Sequence, residues 1–105
     1  MKLYGPSYVL KLLMDAGANP NKADNHKMTP LHYAAMYGSA EVVKTLLDKG
    51  AEPNSTDENG WTPLHYATKW VGGRTEVIQA LLDGGADPEK ETLAGESPLQ
   101  IAYNL

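Results

Sequence analysis

Apolar residues recur along the chain at helical spacing, in short stretches that polar and turn-forming residues separate. Leu31, Ala34 and Ala35 lie on one face of a helix. The proline before them, Pro30, has the fixed φ that suits a first helical position. We therefore predict a short helix from Pro30 to about Tyr37.

A second apolar stripe follows directly. It consists of Val42, Val43, Leu46 and Leu47 and predicts a second helix that Gly50 ends. The next segment, 51–61, is rich in Pro, Asn, Asp, Ser, Thr and Gly, and Gly60 suits a tight hairpin turn with a positive φ. One unit is therefore helix, turn, helix and hairpin loop.

The same unit recurs along the chain. The sequence Thr-Pro-Leu-His-Tyr-Ala occupies 29–34 and returns 33 residues later at 62–67, and Ser-Pro-Leu-Gln-Ile-Ala follows a further 35 residues on. A Gly-Ala-x-Pro sequence keeps the same register, starting at Gly17, Gly50 and Gly85. A fixed period of this length indicates stacked units that bury their apolar faces against one another.

The repeats divide a single domain, 1–105, into two complete and two partial units. The complete units are 22–54 and 55–89, and the partial units are 1–21 and 90–105. The first partial unit matches only a second helix, over about 7–16, and the last only a first helix, over 98–105. In the unit 55–89 we predict helices over about 63–70 and 75–83. Two extra residues fall between them, so we expect 69–74 to bulge outward.

With this period and its T-P-L-H-x-A element, the chain resembles the ankyrin repeat family. The segments that carry the resemblance are 57–67, Asp-Glu-Asn-Gly-Trp-Thr-Pro-Leu-His-Tyr-Ala, and 76–87, from Glu-Val-Ile to Gly-Gly-Ala-Asp. The resemblance implies an all-α solenoid of stacked helix-turn-helix units joined by β-hairpin loops. First helices and hairpin tips would line a concave face, and second helices the convex back. Such a fold does not fix a function, which depends on surface residues.

Three positions depart from the family pattern. Lys27 stands where the family prefers glycine, and a left-handed backbone there costs about 1 kcal/mol. We therefore expect that turn to be reshaped. Thr92 replaces the usual Asp and Gln100 the usual His, so we expect weaker polar ties between units and fraying toward the C-terminus.

Composition narrows the classes of protein. A chain of 105 residues with 42% apolar residues has room for one domain and no separate catalytic domain. It has no cysteine, which excludes disulfides and cysteine-based zinc sites and is compatible with a reducing compartment. Neither a signal peptide nor a membrane span is recognisable. We expect an intracellular protein, cytoplasmic or nuclear, with no membrane partner.

Charge is distributed unevenly. The net charge of −4 disfavours a nucleic-acid partner. Residues 1–50 hold six lysines and four acidic residues, a charge of +2, and 51–105 hold three basic and nine acidic residues, a charge of −6. This asymmetry favours a partner with a basic patch. The alternative is a solvated acidic surface.

No residue pattern supports catalysis. His32 and His65 both fall in the T-P-L-H element, and the resemblance implies that each bonds the capping threonine and nearby backbone. His26 lies in a loop and is expected to be exposed. Because there is no carboxylate pair, phosphate-binding loop or nucleophile motif, we predict no enzyme, no catalytic residue, no cofactor and no metal site.

Candidate partner-binding residues are those that the resemblance places on the groove and hairpin tips. They are Asn25, His26, Met28, Met36, Tyr37, Glu58, Asn59, Trp61, Lys69 and Trp70. Large aromatic residues are enriched in binding hot spots, and methionine suits an adaptable surface. Tyr37 and Trp70 have the alternative of packing between units, and Tyr33 and Tyr66 are expected to cover the core between repeats.

A modification site is a further candidate. The segment from Leu46 to Asn54 resembles the pattern recognised by the asparaginyl hydroxylase that acts on ankyrin hairpins, with Asn54 as the acceptor. The alternative is that Asn54 starts the turn by bonding its own backbone.

Three functions are compatible with these features. The leading one is a non-enzymatic module that binds a protein or peptide in the concave groove. The second is self-association, in which the end around Leu99 and Ile101 stacks head to tail on the end around Val9 and Leu12 of another copy. The third is a partner-recruiting arm of a larger enzyme, because isolated repeat domains need end units with a polar outer face.

Overall fold

The computed structural model describes residues 6–69 and 75–104. Within them lie six helices, namely α1 (Pro6–Asp15), α2 (Pro30–Tyr37), α3 (Ala40–Asp48), α4 (Pro63–Lys69), α5 (Thr75–Asp83) and α6 (Pro98–Tyr103). No residue of the described ranges forms a β-strand. The predicted all-α repeat fold is confirmed, and the connecting loops consist of turns. The predicted outward loop at 69–74 falls mostly outside the described residues.

The helices form two layers. Helices α2, α4 and α6 lie side by side and form the inner layer, and α1, α3 and α5 form the outer layer. Each inner helix except α6 also packs on the outer helix that follows it. The stack is elongated, with extents of 40 × 27 × 24 Å. None of the helices in 6–69 and 75–104 is long and apolar enough to cross a membrane.

Side-chain caps fix where the helices begin. The Thr29 hydroxyl accepts a hydrogen bond from the backbone N–H of His32 at 3.4 Å. Ser97 does the same for the N–H of Gln100 at 3.1 Å. Such caps satisfy N–H groups that have no partner within a first turn. Because the cap precedes proline in both cases, the helix start is specified by two neighbouring residues.

The core lies between the two layers. Leu31 and Leu64 of the inner layer and Leu46 and Leu81 of the outer layer are almost completely buried. The full cluster is Met14, Leu31, Ala34, Ala35, Val42, Val43, Leu46, Ala51, Leu64, Ala67, Val77, Ala80, Leu81 and Ala86. Alanine at the inner-layer positions allows the helices to approach closely, and leucine fills the space between units. The core is therefore continuous along the stack.

The turn at Lys27 keeps the geometry of the glycine turns. Lys27 has φ 62, against 78 for Gly60 in the next unit. Its N–H donates to the Asp24 carbonyl at 3.0 Å, as the N–H of Gly60 does to Asp57 at 3.0 Å. The expected reshaping of this turn is wrong. Asp24 Oδ1 accepts the N–H groups of His26 and Met28, on either side of Lys27, and these bonds hold the left-handed conformation.

The third loop keeps its polar pattern with longer bonds. Asp57 Oδ1 accepts the N–H groups two and four residues further on, both at 2.9 Å. Thr92 Oγ1 accepts the equivalent pair, both at 3.2 Å. The Thr92 hydroxyl therefore replaces the Oδ1 oxygen of the aspartate. Threonine has no counterpart for Oδ2, which in Asp57 accepts the hydroxyl of Tyr66. Fraying of the C-terminal unit stays a prediction.

Candidate functional site

Two buried histidines connect successive units. His32 Nδ1 accepts the backbone N–H of Thr29 at 3.0 Å, and its Nε2 donates to the carbonyl of Trp61 at 2.7 Å. His65 repeats this with Thr62 at 3.0 Å and the carbonyl of Glu96 at 2.8 Å. Because a backbone N–H can only donate, Nδ1 must be unprotonated and Nε2 carries the proton.

The environment of both rings favours the neutral form. Burial is the main cause that lowers the pKa of His32 and of His65, against smaller opposing effects of nearby carbonyls and carboxylates. Each ring nitrogen is engaged in a structural bond. Within residues 8–69 and 75–104, no group of three or more His, Asp and Glu side chains is placed to hold a metal ion.

Two aspartate–tyrosine pairs fix the turns to the inner helices. The hydroxyl of Tyr33 donates to Asp24 Oδ2, and that of Tyr66 donates to Asp57 Oδ2. The bond to Asp24 is the main cause that raises the pKa of Tyr33 to about 12. The same bond is the first cause that lowers the pKa of Asp24. For Tyr66, burial raises the pKa first and the bond to Asp57 second.

These bonds revise the expected role of the two tyrosines. Tyr33 and Tyr66 are partly exposed and are held by carboxylates, so they do more than cover the core. The sequence carries a signal for this pairing. In the third unit the Asp position is Thr92 and the Tyr position is Ile101, so both members of the pair change together.

The turn tips form a connected edge beside the inner layer. The N–H of Glu58 donates to the carbonyl of His26 at 3.0 Å, and the N–H of Leu93 donates to the carbonyl of Asn59 at 3.1 Å. His26 Nδ1 also lies 3.0 Å from a carboxylate oxygen of Glu58. Both side chains are more than half exposed, so this pair contributes little stability. The backbone bonds align successive tips into one surface.

Trp61 stands where this edge meets the inner layer. Its ring packs against His65 and Tyr66, with centroids 5.4 Å and 5.0 Å away. Lys69 Nζ lies 5.1 Å from the centroid of the Trp61 ring, in a cation–π arrangement. The ring is partly buried, so it is held in place while one part faces outward.

A pocket opens beside Trp61. It has a volume of about 250 Å³ and is lined by Trp61, Lys69, Glu96, Ile101 and Asn104. We call these five residues the Trp61 surface. The lining combines an aromatic ring and an aliphatic side chain with one cation, one anion and one amide. Such a combination can take up an apolar group and orient it by polar contacts.

The structure separates the ten predicted partner-binding residues into groups. Asn25, His26, Glu58 and Asn59 are exposed on the turn tips. Trp61 and Lys69 lie together in the Trp61 surface. Trp70 lies outside the described residues.

The remaining predicted residues lie apart from these groups. Met28 is only 9% exposed and so offers little area to a partner. Met36 is partly buried. Tyr37 is exposed and stacks on Tyr33, with centroids 6.3 Å apart, at the opposite end of the inner layer from the Trp61 surface.

Three residues of the Trp61 surface were not predicted from the sequence. Glu96 occupies the repeat position of Trp61, and Asn104 occupies that of Lys69. Ile101 occupies the position of Tyr66. The sequence repeat does identify two of them, because the repeat positions of Trp61 and Lys69 are occupied by Glu96 and Asn104 one unit later.

Asn54 bridges two units. Its Nδ2 donates to the carbonyl of Gly85 at 3.1 Å, and its Oδ1 accepts the N–H of Asp87 at 2.7 Å. Asn21 makes the same pair of bonds one unit earlier, at 3.0 Å and 2.8 Å. The expectation that Asn54 bonds its own backbone is wrong, because both bonds run to the next loop. Hydroxylation of Asn54 stays a prediction.

Comparison with known proteins agrees with the geometry of the stack. A family model described as ankyrin repeats, in three copies, matches residues 2–92, which is most of the chain. The comparison with curated proteins found no match.

Proposed function

Because this chain belongs to the ankyrin repeat family, whose repeats are generally protein–protein interaction modules, we propose that it binds a protein or peptide through its inner layer and turn tips. The family is typically non-enzymatic. We place the centre of binding at the Trp61 surface. The observation that carries this assignment is the partly exposed Trp61 ring beside a pocket with mixed polar and apolar lining.

Preorganisation supports Trp61 as an anchor. Contacts with His65 and Tyr66 already fix the ring, and both of those residues are held by bonds to neighbouring loops. A partner that covers the ring therefore loses little side-chain entropy on binding. Tryptophan side chains in such settings frequently contribute more than about 2 kcal/mol to an interface.

Charge indicates the chemistry of the partner. The turn tips and the third loop carry the exposed Glu58 and Glu91 and the partly buried Glu96, within a half of the chain whose charge is −6. The ammonium group of Lys69 already lies over the Trp61 ring in a cation–π contact. A lysine or arginine of a partner can take the same position when it displaces the exposed Lys69 side chain from the ring. We therefore propose a basic peptide segment that contains an apolar or aromatic residue next to its cations.

A peptide-display selection tests this proposal. Peptides selected from a random library on the intact chain should be rich in Lys and Arg, and higher salt should weaken their binding. Trp61→Ala should weaken their binding by about 30-fold, which corresponds to about 2 kcal/mol. Gln79→Ala, an exposed change on the outer helix α5, is the matched control and should leave affinity unchanged.

Stability must be checked in parallel, because Trp61 also packs on its own unit. Glu96→Lys provides a second variant that leaves these ring contacts in place and should weaken binding of the same peptides. Peptides that bind wild type, Trp61→Ala and Glu96→Lys equally well would exclude the Trp61 surface as the site.

A further inference from the structure

The N-terminal end of the stack exposes residues that its interior buries. Val9 on α1 is 48% exposed, whereas the equivalent Val42 on α3 is 3% exposed. Leu13 is 51% exposed, and its equivalent Leu46 is completely buried. The difference arises because α3 packs on the inner helix α2 of its own unit, while α1 has no inner helix of its own in the described part of the chain.

The C-terminal end shows the reverse gap. Leu99 on α6 is 45% exposed, whereas the equivalent Leu64 on α4 is 1% exposed. An apolar pocket of about 170 Å³ lies between α4, α5 and α6, with Leu82 and Leu99 in its lining. Here an inner helix, α6, has no outer helix behind it in the described residues.

These two ends are complementary. We propose that a second copy of the chain docks head to tail, so that α6 of one copy and α1 of the next together form one complete repeat. Leu99 would then be covered as Leu64 is, and Val9 and Leu13 as Val42 and Leu46 are. Both surfaces use helix α6, but the junction relies on Leu99 and Gln100, whereas the Trp61 surface uses Ile101 and, just after the helix, Asn104. The proposal does not depend on the proposed function.

Polar contacts inside the stack show how the junction would be bonded. His32 and His65 each donate to a carbonyl of the following unit. At the junction Gln100 stands in the histidine position, and the corresponding carbonyl belongs to Met28 of the next copy. A glutamine amide has a reach similar to that of the ring and also donates an N–H.

The bonds between turn tips also continue across the junction. Each tip donates an N–H to the carbonyl of the tip before it, as Glu58 does to His26 and Leu93 to Asn59. In the same register, the N–H of Asn25 would donate to the carbonyl of Ala94 in the preceding copy. The junction therefore follows two interfaces that the chain already forms within itself.

Charge favours this arrangement over the two symmetric ones. Residues 1–33 hold four lysines and two acidic residues, a charge of +2, and 75–105 hold one lysine and six acidic residues, a charge of −5. Opposite ends attract, and like ends repel. Since the contact is heterologous, each copy keeps one end open, and association runs on beyond the dimer.

One residue at the junction is poorly matched. Glu89 occupies the position of Asn21 and Asn54, whose amides both donate to and accept from the next loop. A carboxylate can accept the N–H of Asn19 in the next copy but cannot donate to the carbonyl of Gly17. The change Glu89→Asn should therefore strengthen association, and we expect a gain of about tenfold for one restored bond to a carbonyl.

Sedimentation velocity over about 10–500 μM tests the proposal. Wild type should shift from monomer toward dimer and longer oligomers, and Glu89→Asn should do so at lower concentration. Val9→Glu and Leu99→Glu each place a carboxylate in one end and so block it, and each variant alone should stay monomeric. Mixed in equal amounts, they retain one good end of each kind and should form a 1:1 dimer that grows no further.

Controls separate this junction from other association. Thr56→Glu introduces the same charge at an exposed loop position in the middle of the stack, and it should associate like wild type. Circular dichroism shows whether each variant is folded. Monomeric wild type and monomeric Glu89→Asn at 500 μM would overturn the proposal. Continued association of Leu99→Glu alone, or a mixture that forms no dimer while wild type associates, would also overturn it.

Discussion

Replacing Lys27 by glycine should stabilise the protein. Lys27 is the non-glycine residue with a positive φ in the described part of the chain, and it makes the same turn as Gly60. Its backbone therefore has a conformation that the Cβ of an L-residue disfavours. Glycine removes that conflict and leaves the backbone bond to Asp24 in place.

The expected gain is the difference between two effects. A left-handed conformation costs an L-residue about 1–2 kcal/mol relative to the right-handed one. Glycine also makes the unfolded chain more flexible, and this entropy offsets about 0.4–1 kcal/mol of the stabilisation. The net stabilisation should be about 0.5–1 kcal/mol, or a rise in melting temperature of about 2–8 °C.

Urea unfolding of wild type, Lys27→Gly and Lys27→Ala measures this gain. Lys27→Ala removes the charge and the long side chain but keeps the Cβ, so its midpoint should stay near that of wild type. Lys27→Gly should raise the midpoint at an unchanged m-value. Equal midpoints for the glycine and alanine variants would show that backbone strain at this position is negligible and would refute the reasoning.

Three further predictions concern the ties between units. Burial lowers the pKa of His32 and His65, so as the pH falls these histidines bind protons in the unfolded state before they do so in the folded state. The free energy of unfolding should therefore be at its full value above about pH 6.5 and decrease as the pH drops below it. Urea midpoints measured from pH 7.5 to 4.5 check this. Asn54→Ala removes two bonds to the next loop and should lower the free energy of unfolding by about 1–3 kcal/mol, whereas Asn54→Asp, which keeps the acceptor, should lose less. Tyr66→Phe and Asp57→Asn should each destabilise, and a double-mutant cycle should show a coupling of about 0.5–3 kcal/mol; additive effects would contradict the bond between them.

Much of the fold was predictable because the repeat fixes both period and register. The caps, prolines and apolar stripes of one unit predict helices that the structure confirms to within a residue or two, as with Pro30–Tyr37 and Thr75–Asp83. The histidine bonds across units were less accessible, because spacing alone does not identify their carbonyl acceptors. They became visible only once the units were stacked.

Two departures from expectation have separate physical reasons. The positive φ of Lys27 was expected to disrupt its turn, but contacts on either side of that turn outweigh about 1 kcal/mol of local strain. Met28 was predicted to face a partner, yet it is buried, whereas Trp61 at the same repeat position is partly exposed. Side chains of different size pack differently at one backbone position, and a sequence pattern does not resolve that packing.

NMR titration of the labelled chain with a selected basic peptide is the most direct test of the central claim. Binding at the Trp61 surface should shift the indole N–H of Trp61 and the backbone amides of Lys69, Glu96 and Asn104 most strongly. Amides of the outer helices α3 and α5 should change little. The largest shifts on those outer helices, with the Trp61 indole unchanged, would contradict the account.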